Sequence, residues 1–204
     1  VDPSSETLYY VDQYYSSVRM INYAGLASTV EDVRNFTKEG LTPVGIDVLP
    51  TATMEDWNPD NPGMIFVTGY TALEGHIMQI TLDGAAARVA YTTSNQLLYG
   101  VAVDMDSSLM WWIEDRGISN GLFAKAIDAD DEALVEVASI SNAIWVSALW
   151  HQEILFTSDY DEGTIIQYSI SRENAEVTSS ETVASPSSGE CRGVAFYYGP
   201  SWSR

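Results

Sequence analysis

The sequence predicts an all-β fold in which four copies of a four-stranded unit follow one another, as the blades of a β-propeller do. A short apolar core recurs four times, and the spacings between Tyr9, Phe66, Trp112 and Phe156 are 57, 46 and 44 residues. Apolar and polar residues alternate around each core, and Gly, Asp or Ser stands at the junctions between runs. A repeat of about 44–50 residues fits a four-stranded blade and is too long for a leucine-rich repeat.

The recurring core predicts the second strand of each unit. It reads LYYVD, IFVTG, MWWIED and LFTSD, at Leu8–Asp12, Ile65–Gly69, Met110–Asp115 and Leu155–Asp159. A run of small and β-branched residues precedes the next core each time and predicts the innermost strand, because neighbouring blades crowd together around a propeller axis. These inner runs are Val44–Val48, Gly100–Asp104, Trp145–Leu149 and Gly193–Tyr197.

Each core is followed by a third strand with apolar alternation and by a more polar fourth strand. The third strands are predicted at Val18–Gly25, His76–Gly84, Leu122–Asp128 and Ile165–Ser171. The fourth strands are predicted at Glu31–Thr37, Ala87–Thr92, Ala133–Ala138 and Thr178–Ala184. Ala133–Ser139 has the propensity of a short helix, but its place in the repeat favours a strand.

These units predict one β-propeller domain, or part of one. The units span about 1–40, 41–95, 96–141 and 142–190, and a closing or next-blade strand occupies 191–204. Because Val1-Asp2 aligns with Val103-Asp104, we expect the sequence to begin within an inner strand. The prediction is therefore four units of a longer, six-bladed ring, with a closed four-bladed ring as the alternative.

The charge argues against a nucleic-acid partner and against an anionic membrane surface. The net charge is −20, and Lys38 and Lys125 are the only lysines. Binding to either partner needs a concentrated positive field. The most apolar region, Ala133–Trp150, is interrupted by polar residues, so no direct membrane insertion is predicted for this segment. The single cysteine, Cys191, excludes an internal disulfide.

The order of these runs resembles the YWTD repeat of the low-density-lipoprotein-receptor class B propellers, with NHL-type propellers as near neighbours. LYYVD and LFTSD are most similar to the YWTD core, whereas IFVTG has Gly69 in place of the acidic residue. The resemblance implies a six-bladed extracellular or cell-surface module, without catalytic activity, that binds other extracellular proteins or copies of itself. It also implies that the core acidic residue ties blades together, a role for Asp12, Asp159 and either Glu114 or Asp115.

Aromatic side chains in the predicted loops are the candidates for a recognition surface, because Tyr and Trp are enriched as interface anchors. These candidates are Tyr14, Tyr15, Trp57 and Trp150. Trp57 stands in a proline-rich insertion, Pro50–Gly63, in the first unit. The aromatic residues within the strands, such as Trp111 and Trp112, are predicted to form the core between blades.

Calcium is the one cofactor that the sequence suggests. Asp128, Asp130 and Asp131, with Glu132 beside them, could supply the oxygen ligands that calcium prefers, although a solvated turn is the alternative. No Ser-His-Asp or His-metal spacing accompanies His76 or His151, so no catalytic residue is assigned.

A calcium-dependent hydrolase or lactonase of the six-bladed superfold is the competing function. Its nearest inner-strand candidates are Asp47, Asp104 and Asn142. Separately, Asn35-Phe36-Thr37 is an N-glycosylation sequon on the fourth strand of the first unit, which predicts modification of Asn35 in a secreted protein.

Overall fold

The computed structural model contains four antiparallel sheets and no helix in the residues that it describes. Those residues are 6–23, 29–49, 63–94, 97–104, 108–117, 119–127, 135–140, 143–149, 153–171, 173 and 175–185, with only the backbone described at 104 and 149. We call the sheets blades 1 to 4 in chain order. Their arrangement confirms the predicted all-β propeller architecture.

Every strand pairs with its neighbour in sequence, so each blade is an antiparallel meander. Blade 1 contains β1 (Thr7–Asp12), β2 (Ser17–Asn22) and β3 (Val30–Asn35). Blade 2 contains β4 (Thr42–Leu49), β5 (Met64–Tyr70), β6 (Gly75–Thr81) and β7 (Ala87–Thr93). Blade 3 contains β8 (Leu98–Asp104), β9 (Leu109–Asp115), β10 (Asn120–Ala126) and β11 (Val135–Ile140). Blade 4 contains β12 (Ala143–Leu149), β13 (Ile154–Asp159), β14 (Ile165–Ser171) and β15 (Glu176–Ala184).

The hydrophobic core lies between the blades, as three clusters of buried side chains. The first cluster joins blades 1 and 2, the second joins blades 2 and 3, and the third joins blades 3 and 4. Successive side chains of a strand point to opposite faces of its sheet. Trp112 accordingly packs in the cluster shared with blade 2, while Trp111 packs in the cluster shared with blade 4. This two-sided burial explains why β9 reads as a continuous apolar run, and it confirms that both tryptophans belong to the core.

Glycines allow the inner strands to approach one another closely. A Cβ added at Gly45 in β4 would lie 2.7 Å from the carbonyl oxygen of Tyr99 in β8. A Cβ added at Gly100 in β8 would lie 2.7 Å from the amide nitrogen of Val146 in β12. Both separations are shorter than real Cβ contacts, so a larger residue would force the backbones apart. The small residues of the inner runs therefore have the crowding role that the sequence predicts.

Among the described residues, the polar contacts between blades include side chains of the second strands. Glu114 in β9, which is 2% exposed, accepts hydrogen bonds from Tyr91 Oη and Thr93 Oγ1 in β7 of blade 2. Thr68 in β5 donates to the carbonyl of Tyr99 in blade 3. Of the two acidic residues that the family resemblance offered in this unit, Glu114 is the one that ties blades together.

Among the described residues, the hydrogen bonds of Asp12 and Asp159 lie within their own blades, and the blade-tying role that the resemblance implied for them stays a prediction. Asp12 Oδ1 accepts a hydrogen bond from the Tyr15 amide, and Asp159 Oδ1 accepts bonds from the Asp161 and Glu162 amides, all within the same blade. Each aspartate ends its strand at the turn and satisfies that turn's free amides. In blade 2, where Gly69 replaces the acid, the Thr71 hydroxyl accepts from the Leu73 and Glu74 amides instead.

Candidate interaction face

The turns between the second and third strands of all four blades lie on one face of the propeller, which we call the turn face. Gly45 lies beside Gly100, and two residues later Asp47 bonds to the amide of Val103, so β4 and β8 run in the same direction. At the junction of blades 3 and 4, Asn120 Nδ2 donates to the carbonyl of Ala143 at the start of β12. At the junction of blades 1 and 2, the Phe36 amide bonds to Ser16 in the turn of blade 1 and the Phe36 carbonyl accepts from the Leu41 amide, next to the start of β4. Equivalent turns therefore point the same way around the ring.

Blade 1 carries an exposed aromatic pair on this face. Tyr14 and Tyr15 lie in the turn Gln13–Ser16 between β1 and β2, and their side chains are 88% and 55% exposed. Their rings meet edge to face, with centroids 4.9 Å apart and planes at 84°. Leu73, in the equivalent turn of blade 2, is 78% exposed. The turn face thus presents large apolar groups that the fold itself does not bury.

Hydrogen bonds and ion pairs brace the turn that carries the two tyrosines. Arg19 in β2 donates to Asp12 Oδ2 over 3.1 Å and lies 3.0 Å from Asp32 Oδ1 in β3. Its guanidinium carbon also lies over the Tyr15 ring, 5.1 Å from the centroid. A cation over an aromatic face is attracted by the ring quadrupole, so Arg19 restricts the orientation of Tyr15.

The sequon asparagine lies beside this turn. Asn35 is exposed at the end of β3, where its Nδ2 donates to the carbonyl of Tyr15 over 3.4 Å and its Oδ1 accepts from the Thr37 amide over 2.9 Å. The Phe36 amide bonds to the carbonyl of Ser16 at 2.7 Å. Glycosylation of Asn35 stays a prediction, and the geometry places the modified atom at the edge of the tyrosine pair.

A polar cleft opens between blades 3 and 4 on the same face, with a volume of about 250 Å³. We call it the inter-blade cleft. Its polar lining comes from the end of β9, the start of β10, the inner strand β8 and the turn after β13. These lining residues are Tyr99, Asp115, Ser119, Asn120, Tyr160 and Asp161. The sequence did not single out this set, because its members belong to two different repeat units.

Asp115 accepts two hydrogen bonds at one side of the inter-blade cleft. Its Oδ1 accepts from the Gly117 amide over 2.6 Å, and its Oδ2 accepts from the Tyr99 hydroxyl over 3.4 Å. Gly117 has a φ of +82°, a conformation that glycine adopts without steric cost. Burial raises the pKa of Tyr99, and the charge of Asp115 raises it further. The phenol therefore stays protonated and keeps donating to the carboxylate across the physiological pH range.

Asp47 is an acidic group on an inner strand, away from these turns. Its Oδ2 accepts from the Val103 amide in blade 3 over 2.8 Å, and its Oδ1 accepts from the Val48 amide over 2.9 Å. Burial raises the pKa of Asp47 from 3.8 to about 6, while the two backbone hydrogen bonds act in the opposite direction. Because the pKa of Asp47 is higher in the folded state than in the unfolded state, the folded state binds the proton more tightly.

This raised pKa predicts a pH-dependent stability. Between pH 4 and pH 6 the folded state binds more protons at Asp47 than the unfolded state, so stability falls as pH rises through that window. A difference of about two pKa units corresponds to roughly 3 kcal/mol. Relative to Asp47→Asn, the free energy of unfolding of the parent chain should therefore fall by up to about 3 kcal/mol between pH 3.5 and pH 7.5. Denaturant unfolding at a series of pH values measures this difference. Parallel pH profiles for the two proteins would contradict the assignment.

The remaining sequence candidates lie outside the described residues. These are Trp57 and Trp150 for binding, and Asp128, Asp130 and Asp131 with the neighbouring Glu132 for calcium. Where side chains are described, no group of three or more His, Cys, Asp or Glu residues is placed to hold a metal ion. Within the same residues, no helix is long and apolar enough to cross a membrane. Only Tyr14 and Tyr15, of the predicted binding residues, can be placed on the turn face.

Comparisons with known proteins identify the fold. No family model matches the sequence, and no curated protein matches it. A chain in the crystal structure of a nidogen/laminin complex superposes with a TM-score of 0.65 at 15% identity, covering 88% of this chain and 60% of that one. A luciferin-regenerating enzyme gives a TM-score of 0.58 at 15% identity, covering 90% of this chain and 58% of that one.

A third structure extends the range of functions among these neighbours. The calcium-binding protein regucalcin from Agrobacterium tumefaciens strain C58 gives a TM-score of 0.50 at 7% identity, covering 88% of this chain and 71% of that one. At such identities the likeness shows the fold alone. The chain is therefore similar to β-propellers of several functions, and it spans less than two thirds of the length of the first two.

Proposed function

We propose that this chain belongs to an extracellular, non-enzymatic β-propeller that acts as a protein-interaction or structural module. The observation that carries the proposal is the braced Tyr14–Tyr15 pair on the turn face, together with exposed Leu73. Tyrosine supplies a large, rigid contact area at low conformational-entropy cost, and interface hot spots are enriched in it. Holding the ring in place before binding lowers the ordering cost further.

The resemblance to YWTD repeats supports the finer assignment. It is carried by LYYVD in β1 and LFTSD in β13, and a nidogen/laminin complex is among the structures that share the fold. The proposed partners are other extracellular proteins or a second copy of this chain. The net charge of −20 favours partners with basic surfaces, because complementary charge accelerates association.

The test is a paired binding experiment with Tyr14→Ala/Tyr15→Ala. Self-association is measured by sedimentation velocity, and binding of the immobilised chain to purified laminin is measured by surface plasmon resonance. We expect one of these interactions to occur and the double variant to weaken it at least about tenfold, since two aromatic anchors are lost.

Tyr23→Ala is the matched control for that experiment. Tyr23 is 51% exposed and follows β2, at the end of the blade opposite the turn face. The control should bind as the parent chain does. Equal affinity of the double variant and the parent would contradict the proposal, as would a parent chain that neither self-associates nor binds laminin.

A calcium-dependent hydrolase or lactonase is the second candidate function. Two observations favour it: the regucalcin structure shares the fold, and Asp47 on an inner strand has a pKa raised to about 6. Strongly perturbed carboxyl groups cluster at functional sites, although structural contacts also perturb them. Isothermal titration with calcium separates the two functions. Saturable binding of calcium that Asp47→Asn abolishes would favour the enzyme, and binding that is unaffected by Asp47→Asn would count against it.

A further inference from the structure

The glycosylation sequon Asn35-Phe36-Thr37 is joined to the turn that carries the two tyrosines. The Phe36 amide donates to the carbonyl of Ser16 over 2.7 Å, and Asn35 Nδ2 donates to the carbonyl of Tyr15 over 3.4 Å. Both acceptors belong to the turn between β1 and β2. The sequon and the tyrosine turn are therefore held together by two direct hydrogen bonds.

Phe36 determines which way the sequon faces. Its side chain has no exposed surface and packs in the cluster between blades 1 and 2, whereas Asn35 and Thr37 on either side of it are exposed. The Oδ1 atom of Asn35 accepts from the Thr37 amide over 2.9 Å, and this bond together with the one to the Tyr15 carbonyl fixes the orientation of the side-chain amide. The atom that would carry a glycan is thus held at the surface, in a defined position relative to the tyrosine turn.

Asn35 and the ring of Tyr15 lie on the same face of blade 1. Asn35 is directly opposite Ser17 in the register of β2 and β3, and paired residues project to the same face of a sheet. Arg19 shares that face because it is two positions further along β2, and its guanidinium carbon lies 5.1 Å from the Tyr15 ring centroid. Val18, between them, is buried in the cluster with blade 2. A group attached to Asn35 would therefore project from the side of the blade on which the Tyr15 ring rests.

We propose that an N-linked glycan on Asn35 shields the Tyr14–Tyr15 pair, so that the unmodified chain presents this contact surface and the modified chain does not. An N-linked glycan is bulky and hydrated, and it would compete with a partner for the space beside the two rings, which are 88% and 55% exposed. The inference deepens the proposed function and rests on it, because this modification occurs on secreted proteins.

The modification itself is a transfer of an oligosaccharide to Asn35 from a lipid-linked oligosaccharide diphosphate. A bond forms between Nδ2 and C1 of the first sugar, and the bond between C1 and the diphosphate oxygen breaks. Nδ2 gives up one proton, and the lipid diphosphate leaves. One N–H remains on Nδ2, which is the number that the hydrogen bond to the Tyr15 carbonyl requires. Glycosylation is therefore compatible with the contact that holds the sequon against the turn.

The experiment compares glycosylated and unglycosylated chains secreted from eukaryotic cells. Mass spectrometry after treatment with peptide N-glycosidase, which converts a glycosylated Asn35 to aspartate, measures the occupancy of the site. Thr37→Ala removes the sequon and leaves Asn35 in place, and the backbone amide that bonds to Asn35 Oδ1 is retained. Thr37→Ser is the matched control, since it changes the same residue and keeps the sequon.

Two measurements report the shielding. Nitration of exposed tyrosines by tetranitromethane should be at least about threefold faster at Tyr14 and Tyr15 in Thr37→Ala than in the glycosylated parent, because the glycan covers the rings. Tyr23, which is 51% exposed at the other end of the blade, should react equally in both chains. Thr37→Ala should also self-associate or bind laminin about tenfold more tightly than the parent, since the aromatic anchors become accessible. Thr37→Ser should match the parent, and enzymatic trimming of the parent to its first sugar should recover part of the difference without any substitution.

The outcomes separate this inference from the proposed function. An unmodified Asn35 in the secreted parent, or equal nitration of Tyr14 and Tyr15 with and without the glycan, would overturn the inference. Equal affinity of the glycosylated parent and Thr37→Ala, with both weakened by Tyr14→Ala/Tyr15→Ala, would also overturn it and leave the proposed function standing. Slower nitration of the glycosylated chain, combined with no protein binding by either form, would support the shielding and refute the proposed function alone.

Discussion

Replacing Trp112 with alanine is expected to lower the free energy of unfolding by about 3–5 kcal/mol. Trp112 has no exposed surface, and its ring lies 4.7 Å from the ring of Tyr91 and 5.8 Å from that of Phe123, measured between centroids. Removing the indole loses its transfer free energy and leaves a cavity that the two sheets cannot close, because their backbones are fixed by hydrogen bonds. Denaturant unfolding followed by far-UV circular dichroism measures the effect.

Tyr14→Ala provides the control for this measurement. Its side chain is 88% exposed, so its removal should change stability by less than about 0.5 kcal/mol. Trp112→Phe should fall between the two, since an aromatic ring still fills part of the space. A Trp112→Ala protein as stable as the parent would mean that blades 2 and 3 do not pack through this cluster.

Replacing Glu114 with alanine should also destabilise the chain by about 3–5 kcal/mol. The carboxylate lies 3.2 Å from Tyr91 Oη and 3.1 Å from Thr93 Oγ1, and all three residues are buried. Alanine removes two charge-assisted hydrogen bonds and leaves two hydroxyl groups of blade 2 without this acceptor. Thermal and denaturant unfolding of the variant measure the loss.

Glu136→Ala is the matched control in the same blade. Glu136 is exposed in β11 and pairs with Arg116 over 2.9 Å, and such surface pairs contribute about 0–1 kcal/mol. A double-mutant cycle with Tyr91→Phe isolates the contact and should give a coupling energy of about 0.5–3 kcal/mol. A coupling energy near zero would show that the Tyr91 contact contributes nothing to the link between blades 2 and 3.

The strand pattern could be predicted from the sequence because each blade is built from local information. The alternation of apolar and polar residues, the β-branched residues and the turn residues recur at similar offsets in each unit. Within each blade, every strand pairs with its neighbour in sequence. The Ala133–Ser139 region shows the value of the repeat, since propensity alone allows a short helix and the structure contains β11 from Val135 onward. Bulges between the third and fourth strands, for example at Ile77/Met78, left no comparable signal in the sequence.

On the turn face, the tyrosine pair could be predicted from the sequence, whereas the inter-blade cleft could not, and the difference has a physical reason. Tyr14 and Tyr15 stand in a turn, and apolar residues in a turn have no sheet face to bury them, so their exposure follows from local sequence. The inter-blade cleft depends instead on how two blades pack. Tyr99 and Asp115 come from blade 3, whereas Tyr160 and Asp161 come from blade 4. Nothing in either repeat alone indicates that they share a cavity.

The family resemblance left the blade-tying acid of blade 3 open between Glu114 and Asp115, and the structure distinguishes the two. The position that ends each second strand carries Asp12, Asp115 or Asp159, and each accepts amide hydrogen bonds from its own turn. The residue one place earlier in blade 3, Glu114, points to the other face of the sheet and reaches the neighbouring blade. Adjacent residues of one strand thus have different roles: Asp115 binds the amide of its own turn, and Glu114 binds the neighbouring blade.

The meander order of the strands has a consequence for how the chain folds. Each blade is assembled from hairpins between consecutive strands, so its contacts have short sequence separation and can form while the chain is being synthesised. Links between blades, such as Asp47 to Val103 and Thr68 to Tyr99, join residues 56 and 31 positions apart in sequence and form after the hairpins. Nascent blades would therefore expose both apolar faces of strands such as β9 until the next blade emerges, and this interval is when the protein is most exposed to aggregation and to capture by chaperones.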